Sequence, residues 1–202
     1  MNSKLSKQLL NLFIGSLVLY FLYIFITALF IVDRRHMGTD NGTYINSTTD
    51  NDPYIKKLAY ELTFSCNNNL CRVQNLLDYV TNIPYKINHI NANSPQETIQ
   101  KNFGDCDDKS NLLISMLHEL NIESYFVLVP KHIFVIVALD DIDITHFTKG
   151  LYLDDKKFYI LESTAKGSSI GFPFKYKISD IEMIIEPFEN REIDFKKIEW
   201  KL

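Results

Sequence analysis

Gly104-Asp105-Cys106-Asp107-Asp108-Lys109-Ser110, running on into Asn111-Leu112-Leu113-Ile114-Ser115-Met116-Leu117-His118-Glu119-Leu120, is the stretch whose reading decides the fold. Leu112, Leu113, Met116, Leu117 and Leu120 recur at helical spacing, which predicts a helix with one apolar, core-facing side. Gly104 allows a tight turn into it, Asp105 can accept hydrogen bonds from its first free N–H groups, and Asn121 stands where a left-handed cap belongs. Cys106 therefore falls at the helix N-terminus, where unpaired N–H groups and the helix dipole favour a thiolate, and so a nucleophile. Asp105, Asp107 and Asp108 oppose that charge, so a cationic partner has to come from elsewhere in the chain.

The best candidate for that partner is His132, which opens the apolar run Ile133-Phe134-Val135-Ile136-Val137-Ala138-Leu139, a buried-strand pattern. Ile122 to Val129 reads as the strand before it, and Pro130-Lys131 is short enough to make the two a hairpin. Lys156 to Glu162 reads as a further strand, carrying one acid, Glu162, at its end. Asp140 to Gly150 reads as an irregular connection, Tyr176 to Ile178 and Glu182 to Ile185 as short strands, and Glu189 to Leu202 as a charged tail.

Upstream, Pro53 opens a helix with Ile55, Leu58, Ala59 and Leu62 inward, and a second runs from about Leu70 to Thr81. Ile83-Pro84-Tyr85 breaks it, and Ser94-Pro95-Gln96-Glu97 has the capping-box pattern of a short helix that delivers the chain to Gly104. Helices first and an antiparallel sheet second predict the α+β class.

With these residues the chain resembles the transglutaminase-like superfamily of cysteine enzymes, from about Ile83-Pro84-Tyr85 through Gly171. The likeness rests on the Gly-Asp-Cys-Asp-Asp helix start, the His-x-Phe strand at His132 to Phe134, and the acid-x-Thr strand end at Glu162 to Thr164. It implies a papain-like core, with N-terminal helices and a Cys-bearing central helix packed on an antiparallel sheet. It also implies a Cys106, His132, Glu162 triad of the kind found in bacterial transglutaminase-like cysteine proteinases. Many members have Asp where Glu162 stands, and Glu is one methylene longer.

On that reading Cys106 attacks a peptide or glutamine carboxamide to give a thioester, and hydrolysis is favoured over cross-linking. The substrate would be a protein or peptide. Tyr85 is by analogy an oxyanion donor, against the plainer reading of a packed aromatic. Relatives that bind Ca²⁺ beside the catalytic cysteine make Asp105 and Asp107 candidate calcium ligands. The plainer reading there is that Asp105 caps the helix and that Asp107 and Asp108 are solvated. The competing function is a catalytically silent binding or scaffold domain on the same fold.

The rest of the chain divides into a short tail (1–8), an apolar span (9–32), a linker (33–52) and the domain (53–202). Leu9 to Val32 carries no charge and is long enough to cross a bilayer, and no small-x-small cleavage site follows, which predicts a single-pass signal anchor. Met37 to Asp52 is rich in Gly, Asn, Thr, Ser and Asp, which predicts a flexible linker.

Cys66 and Cys71 lie close in sequence, either as a disulfide or as two core thiols, with Cys106 left over. One disulfide and one reactive thiol suit an oxidising compartment, periplasmic or extracellular. Setting aside Lys4 and Lys7, 19 of the 21 basic residues face 25 acidic ones after the span; with no basic stripe, nucleic acid is not an expected partner.

Overall fold

The computed structural model describes residues 3–32, 35–40, 42–88, 92–140 and 149–201. The chain divides into two units, residues 1–35 and 36–202. The first is helix α1 (Ser3–Val32), in which Lys7–Ile26 is long and apolar enough to cross a membrane. An anchor and a leader sequence both present such a helix.

The second unit is α+β. Four helices follow the sequence pattern closely: α2 (Pro53–Thr63), α3 (Asn69–Asn82), α4 (Pro95–Lys101) and α5 (Cys106–Glu119). Each is started by a short polar side chain that accepts from free N–H groups of its first turn: Asp52, Asn68, Ser94 and Asp105. Ser94 and Glu97 form the capping box, and Asn121 takes the left-handed conformation just past α5. A Cys66–Cys71 disulfide closes the α2–α3 connection.

A seven-stranded antiparallel sheet carries the helices. Its order is β8 (Arg191–Glu192), β7 (Met183–Glu186), β3 (Ser124–Val129), β4 (His132–Ala138), β6 (Lys156–Leu161), β5 (Gly150–Leu153) and β9 (Ile198–Lys201). Alternation along β3 and β4 builds two cores. Phe126, Leu128, Ile133, Val135 and Val137 pack with α2, α3 and α5, whereas Val127, Val129, Phe134 and Ile136 face the other way. That second face is covered by apolar residues from 172–181 and by Phe195, Ile198 and Trp200.

Three sequence expectations are corrected. Residues 35–49 are no linker: β1 (Arg35–Thr39) and β2 (Gly42–Asn46) pair, and Met37, Tyr44 and Asn46 are buried. Asp107, Asn111 and Ser115 stand at i, i+4 and i+8 on one face of α5 and bind the backbone of alternate residues. Ile45 N–H donates to Asp107, Asn111 bridges Ile45 C=O and Ser47 N–H, and Thr49 N–H donates to Ser115. Four helical residues rise about 6.0 Å and two extended residues about 6.6 Å, so the two repeats stay in step over this length. Asn46 adds a bond to the Asn190 side chain, which ties the same segment to the β7–β8 turn.

The tail is no loose end either, since β8 and β9 pair with β7 and β5. Tyr176 to Ile178 is not a strand; it leads into a short 3-10 turn at Ile178–Asp180. Of the Asp140 to Gly150 connection, residues 141–148 lie outside the described residues.

Candidate active site

Helix α5 is buried almost all round: Asp108, Lys109, Ser110 and Asn111 are as inaccessible as Leu112 and Leu113. Its polar side is satisfied from neighbouring segments. Asp108 accepts from the Asn93 backbone and side chain, Lys109 donates to Ile83 C=O at 2.8 Å, and Ser110 bonds Ser163 across to the end of β6. Asp108 is thus enclosed and not solvated. Gly104 is required by closeness: a Cβ there would stand 2.8 Å from Asp108 Cβ and 3.2 Å from Thr98 Cγ2. Through Lys86 N–H to Gly104 C=O and Gly104 N–H to Pro84 C=O, this glycine also fixes Tyr85 beside the start of α5.

Cys106 is the one free cysteine. The backbone N–H groups of Asp107 and of Ile133, the residue that follows His132, favour its thiolate. Burial first, and then the charges of Asp107 and Asp105, push its thiol up to about 12 against that influence. Burial and the two carboxylates thus oppose the thiolate that the helix N-terminus favours.

His132 begins β4 at the mouth of the β3–β4 hairpin, where Val129 pairs with His132 and Lys131 takes a left-handed turn conformation. Its Nε2 lies 2.8 Å from Glu162 Oε2. The β4–β6 register, Val135 opposite Leu161, continued by one residue sets Glu162 opposite Phe134 and diagonal to His132 on one sheet face. An ionised carboxylate only accepts, so Nε2 carries the proton and Nδ1 of the neutral ring holds a lone pair.

The other Glu162 oxygen accepts from the Thr164 backbone N–H at 3.0 Å and from the Thr164 hydroxyl. Burial raises the Glu162 carboxyl, but His132 and Thr164 together hold it below its ordinary value, so it is ionised at neutral pH. The extra methylene of Glu is taken up within this pair of contacts.

Three phenols lie within electrostatic range of the thiol. Tyr44, Tyr85 and Tyr176 are each raised by burial first and then by neighbouring acids, Cys106 among them in every case. All three are therefore hydroxyl donors at neutral pH. Tyr85 is 52% exposed and so within reach of a bound molecule, whereas Tyr44 is 7% exposed. Tyr176 stacks on His132, with ring centroids 6.4 Å apart and planes 20° apart. Tyr44 and Tyr176 were not legible as site residues; Tyr44 is the lone aromatic of its segment, and Tyr176 ends an alternation with Phe172 and Phe174 that reads as packing.

Asp105, Asp107 and Asp108 offer carboxylate oxygens within 4.8 Å of one another. Asp107 is pushed up to about 8, by burial first and then by its hydrogen bond to Asp105 and that residue's charge. Asp108 is pushed up to about 6, by burial and then Asp105. The oxygen donors suit calcium chemically, but calcium takes six to eight. Asp105 already accepts from Asn88 and Asp108 N–H, Asp107 accepts from Ile45, and Asp108 is held by Asn93. These bonds use part of the lone pairs of the three carboxylates.

The transglutaminase-like superfamily profile matches residues 56–162, from α2 to Glu162. No curated protein matches the chain. Among solved structures, a candidate cysteine protease from Cytophaga hutchinsonii shares 20% identity, with a TM-score of 0.43, over 59% of this chain and 46% of that one. A candidate protease from Parabacteroides distasonis shares 14%, with a TM-score of 0.46, over 70% of this chain and 27% of that one. The chain thus spans less than half the length of either.

Proposed function

The chain belongs to the transglutaminase-like superfamily, and on that premise we propose that it is a cysteine enzyme that attacks a peptide or glutamine carboxamide through Cys106. The observation that carries this reading is the His132–Glu162 contact at 2.8 Å, with the backbone N–H of Ile133, the next residue, favouring the Cys106 thiolate.

In the first step His132 Nδ1 takes the thiol proton as sulfur bonds to the carbonyl carbon. Glu162 stabilises the imidazolium, and Cys106 N–H with the Tyr85 hydroxyl donates to the oxyanion. The C–N bond then breaks, the imidazolium proton passes to the leaving amine, and a thioester remains. Water attacks it with His132 again as base, and releases the acid and the thiol. With the thiol pushed up, it needs a base beside it to take its proton, and His132 is that base.

No metal is required on this reading, and calcium at Asp105 and Asp107 is the alternative: activity unchanged by a chelator supports the first, loss restored by Ca²⁺ the second. Helix α1 acts as a single-pass anchor, with the domain outside the cytoplasm, where a Cys66–Cys71 disulfide persists. Labelling of the domain in intact cells by a reagent that does not cross membranes tests that side.

The competing reading, a silent scaffold, is favoured by the part-burial of Cys106 and the acids beside it. The deciding experiment offers a peptide library to the full chain in detergent. Cleavage or deamidation that Cys106→Ala abolishes supports the enzyme; binding without turnover, retained in Cys106→Ala, supports the scaffold.

A further inference from the structure

On the sheet face away from α5, a cavity of about 210 Å³ opens beside the candidate triad. The rings of Phe134, Phe172, Phe174 and Tyr176 line it, and His132 and Glu162 form one edge. Cys106 is not part of its wall. Small-molecule sites usually measure about 300–1,000 Å³, so this space suits one side chain and not a whole ligand.

Position says which side chain. The acyl part of a substrate stays on Cys106, near the N–H groups at the start of α5. The departing amine must collect its proton from His132, so the residue bearing that amine lies on the histidine side of the thiol. A cavity that touches His132 and not Cys106 is on that side.

Its chemistry is equally restrictive. Phe134 and Tyr176 stack with planes 12° apart, and Phe174 closes on Tyr176 with centroids 6.1 Å apart, so the surface is aromatic. Glu162 is the acid at the edge, and both its oxygens are engaged by His132 and Thr164. Lys175, whose ammonium lies 4.9 Å from the Phe172 ring, adds positive charge to the lining. A cationic side chain would find no unengaged carboxylate there.

We infer that this cavity is the subsite for the residue on the amine side of the scissile bond, and that it selects a bulky apolar side chain, aromatic or branched. The inference rests on the reading of Cys106, His132 and Glu162 as catalytic. By microscopic reversibility the same cavity receives the amine when an amine, in place of water, resolves the thioester.

The test needs no natural substrate. The full chain in detergent is acetylated with p-nitrophenyl acetate: sulfur bonds to the acetyl carbon and nitrophenolate leaves. The acetyl-enzyme is then partitioned between water and added glycinamide, leucinamide, phenylalaninamide or argininamide. The amine bonds to the carbonyl, its proton passes through His132 to the departing sulfur, and the N-acetyl amide is counted by mass spectrometry.

Leucinamide and phenylalaninamide are expected to be acetylated about tenfold faster than glycinamide, the factor corresponding to half-burial of such a side chain. Argininamide should not exceed glycinamide. Phe174→Ala should shrink the preference to about twofold with the nitrophenolate burst retained; if that variant does not fold, the wild-type series decides alone. Equal rates for all four amines overturn the subsite and leave the enzyme intact. Absence of any burst beyond that of Cys106→Ala overturns the enzyme reading, and the subsite with it.

Discussion

Replacing Asn111 by Ala removes the central link between α5 and the segment before α2. Asn111 is fully buried; it donates to Ile45 C=O at 2.8 Å and accepts from Ser47 N–H at 3.0 Å. Alanine leaves both backbone groups without that partner. An unsatisfied buried group costs about 1–3 kcal/mol, and Ile45 and Ser47 are only half-buried, so the lower end applies to each. With the lost side-chain contacts the expected destabilisation is about 2–4 kcal/mol, a large share of a total of about 5–15. Ser115→Ala, which removes one bond to Thr49 N–H, should cost about 1 kcal/mol. Urea denaturation followed by the fluorescence of Trp200, the one tryptophan, measures both. A loss below about 0.5 kcal/mol for Asn111→Ala would refute the view that side chains of α5 hold residues 45–49 in place.

Three further outcomes are expected. Asp107 is pushed up from 3.8 to about 8, so between these values the folded state keeps a proton that the unfolded state has released. Stability should therefore fall as pH rises through that window, by up to about 1.4 kcal/mol per pH unit, and level off above it; Asp107→Asn should flatten the slope in denaturation curves. Glu162→Gln can offer only one acceptor atom to His132 and Thr164, so turnover should fall by roughly a hundredfold or more with the circular dichroism spectrum kept. Gly104→Ala sets a Cβ 2.8 Å from Asp108 Cβ, and should lower stability by about 1–3 kcal/mol in the same urea assay.

The helices were legible because their signals are local. Pro53 at the start of α2, the caps at Ser94 and Asp105 and the apolar period of α5 place these elements within a residue or two. The β3–β4 hairpin was legible from two apolar runs around Pro130-Lys131. β5 was not, because four residues after a polar connection carry little pattern and their turn into β6 uses Asp154 and Asp155 in left-handed conformations, without a glycine.

Residues 35–49 read as a linker because, apart from Met37 and Tyr44, their fixation is polar. Hydrophobic periodicity is blind to backbone groups held by Asp107, Asn111 and Ser115. Cys106, His132 and Glu162 stood out by residue type and order, and the fold brings the last two into contact. The state of the thiol was not legible, since a helix N-terminus argues one way and the depth of burial, which only the fold sets, argues the other.

The most direct test of the central claim is the rate of Cys106 alkylation by iodoacetamide from pH 5 to 10, in wild type and His132→Ala. With Cys66 and Cys71 bonded to each other, Cys106 is the one thiol that reports. Left to burial and its acidic neighbours the thiol would stay protonated to about pH 12, so neutral-pH reactivity has to come from His132. The account predicts that His132→Ala slows alkylation at pH 7 by at least about tenfold and that the two rates draw together at the alkaline end. Superimposable profiles would contradict it, and would leave Cys106 as a buried thiol that His132 does not serve.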